Sequence, residues 1–179
     1  MLLITGATGH SGKWLIKNLE DSAYKGKVRC IVRSKRKGAT LAKSNLDLDI
    51  CYGDLEDDEF LKASMKGVKT VIHIAGILLS ERLTTIGTQE DVQWFILIHT
   101  TGRFSRFKSA SANYIAIEDR LIKKYSNLTI LRPTMIYGSS SDYNMWKLIK
   151  FLHKYKAFPV FGSGKNLMQP VYARDLADA

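Results

Sequence analysis

Small residues crowd one short stretch of this sequence, Gly6-Ala7-Thr8-Gly9-His10-Ser11-Gly12, directly after the apolar run Met1–Thr5. Glycine suits a backbone that must bend sharply, or a place where a phosphate oxygen would collide with a Cβ. Trp14, Leu15 and Leu19 follow at helical spacing and predict a helix over Ser11–Leu19. Its unpaired N–H groups and positive dipole end would face an anion lying at the turn. Strand, glycine turn and helix in that order form a phosphate cradle, with Gly6, Thr8, Gly9, His10, Ser11 and Gly12 as its contacts.

About 20 residues beyond such a turn, dinucleotide folds that prefer NAD carry a carboxylate for the ribose hydroxyls. Here that place holds Arg33-Ser34-Lys35-Arg36. A guanidinium binds a 2′-phosphate with charge-assisted, often bidentate hydrogen bonds, whereas a carboxylate would repel it. Arg33, with Lys35 or Arg36, therefore favours NADP over NAD.

Short β-rich runs alternate with helical ones along the chain, which predicts an α/β fold: a doubly wound parallel sheet with helices on both faces. The expected strands are Leu2–Thr5, Val28–Arg33, Leu48–Tyr52, Thr70–Ile74, Trp94–His99, Thr129–Arg132 and Pro159–Phe161. Beyond the first, the expected helices are Gly38–Ser44, Asp58–Met65, a short one near Leu83–Glu90, Ala110–Lys124 and Asp142–His153. With 179 residues, three prolines and neither repeat nor linker, one domain is expected. Right-handed crossovers place the ligand crevice at the carboxyl ends of the strands.

No apolar run approaches the roughly 20 residues of a membrane span, and Met1 leads straight into the first strand without room for a leader. Cys30 and Cys51 sit inside strands without CxxC spacing, and read as thiols of a cytoplasmic protein. Four histidines without ligand spacing suggest no metal. The net charge is +10, and the stretch Lys13–Lys43 holds ten Lys or Arg against Glu20 and Asp21. No aromatic-interleaved basic stripe accompanies it, so nucleic acid is not the expected partner.

The GxxGxxG spacing resembles the short-chain dehydrogenase/reductase superfamily, and GATGxxG looks like its extended and atypical branches, including NmrA-type proteins. Val71-Ile72-His73-Ile74-Ala75-Gly76 is similar to that family's fourth strand and the floor under the cofactor. Leu131-Arg132-Pro133-Thr134-Met135-Ile136-Tyr137-Gly138 resembles the LRPxxxYG stretch of the epimerase/dehydratase branch. Phe158–Gly164 and Gln169–Ala177 resemble its later GxG and VxDLA segments. The resemblance implies cofactor contacts at Asp54 and the adjoining Leu55, with Asp54 receiving the adenine amino group. Ala75 and Gly76 would give the nicotinamide half room to pass. It also implies a further C-terminal substrate-binding portion, since this chain stops within a helix that begins near Tyr172, and pairing of subunits through crossover helices in a homodimer.

Reductases of that superfamily orient a carbonyl with a Ser or Thr and move its proton with a Tyr whose partner is a Lys four residues on. Thr100 and Thr101 follow the fifth strand and match the hydroxyl position. Tyr114 is the candidate acid/base, but its partner position is Glu118. In the competing register Tyr114 falls on the lysine position and Ala110 on the tyrosine position, so neither register preserves the Tyr–Lys pair. Lys108 is a possible substitute ammonium, and His73 and His99 stand at strand ends near the crevice. The resemblance thus implies an NADP-dependent oxidoreductase or epimerase/dehydratase-like enzyme with an unidentified carbonyl or nucleotide-sugar substrate. The alternative is a non-catalytic NADP(H)-binding redox sensor of the NmrA type.

Overall fold

The structure, a computed structural model, describes residues 1–105, 111–140, 142, 145–160, 162–165 and 167–179. Strands β1 (Leu2–Thr5), β2 (Val28–Val32), β3 (Leu48–Tyr52), β4 (Thr70–His73), β5 (Trp94–Ile98) and β6 (Leu128–Leu131) form one parallel sheet in the order β3-β2-β1-β4-β5-β6. The helices are α1 (His10–Asp21), α2 (Lys35–Gly38), α3 (Asp58–Met65), α4 (Ser80–Gln89), α5 (Ala112–Lys124), α6 (Met145–Tyr155) and α7 (Ala173–Asp178). The strand order reverses between β1 and β4, and a doubly wound sheet opens its crevice at that point.

The inner strands are continuous apolar runs because both of their faces are covered. On one face Leu3, Val71, Phe95 and Leu97 pack with Leu61 and Met65 of α3, Leu83 of α4, and Ile117 and Leu121 of α5. On the other, Leu2, Ile4, Cys30 and Val32 pack with Ile16 of α1 and with Leu41. Cys30 has no exposed surface, and burial pushes its thiol up to about 12. Arg29, within the basic stretch, is bound inward: it pairs with Asp49 of β3 at 2.8 Å and donates to the carbonyls of Ser64 and Lys66.

Departures from the expected elements have local causes. The helix expected over Gly38–Ser44 is instead α2 followed by a single 3-10 turn, Leu41–Lys43. Gly38 and Thr40 are poor helix formers, and Leu41 gives the one side chain of that stretch that enters the apolar core. Helix α4 starts three residues earlier than Leu83, after a 3-10 turn at Ile77–Leu79. Pro159 and Val160 form no strand, and Phe161 lies outside the described residues. A second, two-stranded parallel sheet joins β7 (Ile136–Tyr137) to β8 (Val171–Tyr172). Tyr172 stacks on Tyr137 at 5.5 Å and meets Trp14 of α1 edge-on at 5.7 Å, so this small sheet sits against α1. Among the described residues no helix is long and apolar enough to cross a membrane.

One seam fixes the crevice floor. Thr5 ends β1 opposite His73 of β4, and Thr5 Oγ1 lies 2.7 Å from His73 Nδ1. His73 Nε2 lies 2.8 Å from the Gly76 carbonyl, which can only accept. The proton therefore sits on Nε2, and Nδ1 accepts from the Thr5 hydroxyl. Both residues are fully buried, and burial drives His73 down to about 4. Unfolded, the ring takes its proton near 6.5. Between those values the unfolded chain binds more protons than the folded one, so acid favours unfolding. The contribution of His73 is complete above pH 6.5 and falls by on the order of 3 kcal/mol as the pH drops towards 4. Urea unfolding across this range should show that slope, and His73→Asn, which does not titrate there, should be less stable at pH 7 with a distinctly shallower pH dependence.

Candidate functional site

The glycine turn is shaped by close approaches of backbone to backbone. Gly6 has φ +78°, and a Cβ there would stand 3.0 Å from the Ala75 nitrogen at the end of β4. A Cβ on Gly12 would stand 2.2 Å from the Gly6 carbonyl and 2.6 Å from Ala7 Cα, so α1 lies directly on the turn. The Gly9 N–H donates to the Gly6 carbonyl at 2.9 Å and closes the bend. Gly9 then caps α1 without any side-chain hydrogen bond, and the first turn of α1 holds no acidic residue. The leading N–H groups and the positive end of the helix dipole are left for an anion. His10 adds a buried Nε2 with no hydrogen-bond partner among the described residues. Ser11 follows it in the same turn, and Thr8 lies in the loop just before.

Arg33 follows the last residue of β2 and Arg36 lies in α2. Both are exposed, and neither makes an ion pair among the described residues. Asp54 is exposed beyond β3, and its Oδ1 accepts from the Glu56 N–H at 3.0 Å, closing the turn before α3. Leu55 is buried in the core beside Leu61, which leaves only its backbone to meet a ligand.

A cleft of 510 Å³ opens where β4, β5 and α5 converge. Ala75, Gly76, Leu79, Thr100 and Tyr114 line it, and Glu56 stands at its wall. The sequence therefore brings three predicted groups together: the small residues after β4, one hydroxyl after β5, and the tyrosine of α5. The two threonines part company. Thr100 Oγ1 accepts from the Gly102 N–H at 3.1 Å, which leaves its own proton to donate into the cleft. Thr101 is directed to β6, with its N–H and hydroxyl both on the Pro133 carbonyl. Among the described residues no lysine lines the cleft; Lys108 and Ala110 lie outside them.

Glu118, one helical turn beyond Tyr114, points inward and not at the cleft. Its Oε2 accepts from His99 Nδ1 at 2.9 Å, and its Oε1 lies 2.9 Å from Arg132 Nε and 3.1 Å from Arg103 Nη1. Burial alone would raise this carboxyl, but the bonds from Arg132 and His99 outweigh it and hold it below the usual range. His99 is held low by burial, against the pull of Glu118. Neutral, with Nδ1–H given to the carboxylate, its Nε2 accepts from Ser80 Oγ at 3.1 Å. Ser80, His99 and Glu118 occur in the order of a nucleophile triad, but Ser80 has no exposed surface. The network serves position: Ser80 follows Leu79, His99 precedes Thr100, and Glu118 shares a helix face with Tyr114. Sequence reasoning singled out His99 and Glu118 separately but missed Ser80 and Arg103, since nothing in local spacing links residues on four different elements.

Comparison with known proteins agrees with this fold. The chain is 25% identical over 159 residues to the photosystem II assembly factor Ycf39 of Cyanophora paradoxa, covering 84% of this chain and 45% of that protein. It is 27% identical over 206 residues to the mitochondrial NADH dehydrogenase [ubiquinone] 1 alpha subcomplex subunit 9 of Arabidopsis thaliana, covering 98% of this chain and 48% of that protein. The chain thus spans about half the length of these curated relatives. Its fold is that of the Citrobacter sp. triphenylmethane reductase, with a TM-score of 0.77 at 20% identity over 98% of this chain and 62% of that one. A second structure of that reductase, complexed with NADP(H), gives a TM-score of 0.63 at 21% identity over 74% and 49% of the two chains. Residues 1–93, which hold the glycine turn, the cationic end of β2 and the His73 seam, match the NmrA-like family; more than half of the chain is matched, and the protein belongs to that family.

Proposed function

We propose that the chain is an NADP(H)-binding oxidoreductase of the NmrA-like family, with the dinucleotide laid across the carboxyl ends of β2, β1, β4 and β5. The observation that carries this reading is the cradle at α1. A Cβ at Gly12 would close it, no side chain caps the helix, and no carboxylate opposes an anion there. The pyrophosphate belongs on the N–H groups of His10, Ser11 and Gly12, with His10 Nε2 as a further polar contact. Arg33 and Arg36 are placed for a 2′-phosphate, Asp54 and the Leu55 backbone for the adenine, and Ala75 and Gly76 for the nicotinamide half. The NADP(H) complex of the Citrobacter reductase supports this choice of nucleotide.

Bound in this way, a reduced nicotinamide supplies a hydride. The chain's own part is to hold the acceptor and to provide its proton. Thr100 donates a hydrogen bond from its hydroxyl to a substrate oxygen, and Tyr114 transfers its phenolic proton to that same oxygen. No described cation lines the cleft to hold a phenolate. The phenolate that this step leaves is re-protonated from solvent, and the same groups serve the reverse reaction. The alternative, a redox sensor that binds NADP(H) without turning it over, is favoured by Glu118, which stands four residues after Tyr114 and is fully engaged with His99, Arg103 and Arg132.

Titration with NADPH and NADH, followed by nicotinamide fluorescence, should show clear preference for NADPH. Arg33→Asp should weaken NADPH by roughly 10- to 100-fold, the worth of a charged hydrogen bond, and leave NADH nearly unchanged. Equal affinities for both nucleotides would remove Arg33 from the site. Gly12→Ala should abolish binding and lower stability by about 1–3 kcal/mol, because the carbonyl it meets is backbone and cannot swing aside. With a panel of quinones and carbonyl compounds as acceptors, Tyr114→Phe should cut turnover by about 100-fold or more at unchanged NADPH affinity. NADPH binding with no turnover of any acceptor would favour the sensor.

A further inference from the structure

Helix α6 has a surface that none of the preceding chemistry uses. No residue of it is buried, and every residue from Ile149 to Val160 is exposed. Leu148, Phe151, Leu152 and Tyr155 recur at helical spacing and form one apolar stripe. Lys147, Lys150 and Lys154 form a row along its flank. The aromatic rings are gathered at the surface, with Phe151 4.7 Å from Tyr155 and 5.7 Å from Phe158. A stripe of this kind normally faces a protein interior or a partner.

Charge identifies the partner. From residue 143 to residue 174 the sequence contains no Asp or Glu, while Lys147, Lys150, Lys154, Lys156, Lys165 and Arg174 all fall within it. Two copies joined through this face by a twofold axis would set one lysine row against the other. We propose that α6 is a membrane-surface helix, which lies in the headgroup layer of an anionic lipid bilayer with Phe151, Leu152 and Tyr155 inward. At eleven residues it is about 16 Å long, roughly half the hydrocarbon thickness of a bilayer, so it lies along the surface and does not cross. Tyr155 has the apolar body and polar tip suited to that depth. The lysines extend apolar stems along the stripe and leave their ammonium groups at the level of lipid phosphate.

The test is sedimentation of the 179-residue chain with vesicles of phosphatidylcholine, with and without about one-third phosphatidylglycerol. The chain should pellet with the anionic vesicles alone, and about 0.5 M salt should release most of it. Lys150→Glu/Lys154→Glu should lower partitioning at least about tenfold. Phe151→Asp/Leu152→Asp should remove it while thermal unfolding and NADPH affinity stay as in the parent, since both side chains are exposed. Failure of the parent chain to pellet, or partitioning that ignores these substitutions, overturns the proposal. So does a dimer in light scattering that Phe151→Asp/Leu152→Asp dissociates, which assigns the face to a second copy. Binding to soluble polyglutamate without binding to vesicles overturns it equally and assigns the face to an acidic polypeptide.

Discussion

The hydrogen bond between Thr5 and His73 governs the top of the sheet. It joins the ends of β1 and β4, where the strand order reverses, and passes through the ring to the Gly76 carbonyl. Gly76 takes φ +147°, a conformation open to glycine, and the cleft floor is thereby set. Gly6 can approach Ala75 as closely as it does because the two strand ends are held in register. Protonation would turn the Thr5 hydroxyl from donor to acceptor and place a charge where no solvent reaches it, so the geometry favours a neutral ring.

The second buried network handles charge in another way. Glu118 is a carboxylate with almost no exposed surface, and such a group is tolerable only if its charge is met in place. Two guanidiniums and a neutral histidine meet it, drawn from the position just after β5, the 3-10 turn Thr101–Phe104, and the segment after β6. Exchange of Glu118 for lysine, the partner that an acid/base at Tyr114 would call for, would therefore do more than add a cation beside the cleft. It would bring a third positive group among Arg103 and Arg132 and remove the one acceptor they share.

Much of this was legible in the sequence because it is written locally. Parallel strands buried on both faces are unbroken apolar runs, and the glycine turn lies between the first of them and its helix within a dozen residues. What escaped was encoded over distance or by exception. Thr5 and His73 are 68 residues apart, and nothing near either marks the other as its partner. Gly38 breaks a stretch that reads as helical, and β7 and β8 are two residues each, too short for periodicity to register. A search for membrane contact by length of apolar run passes over α6, whose apolar residues lie on one side of a short helix. The separation of Thr100 from Thr101 is a matter of which carbonyl lies nearest in space, and adjacent residues of one type cannot announce it.

The packing of α7 on α1 bears on how the chain is made. Asn18 of α1 donates to Asp178 of α7 at 2.6 Å, across 160 residues of sequence, and Trp14 meets Tyr172 nearby. On the ribosome, α1 emerges well before α7, and the flank of α1 that α7 covers stays bare until α7 follows. A contact of such long range is slow to close and leaves aromatic surface open meanwhile. The nucleotide cradle thus exists long before the contact that covers the flank of its helix can form.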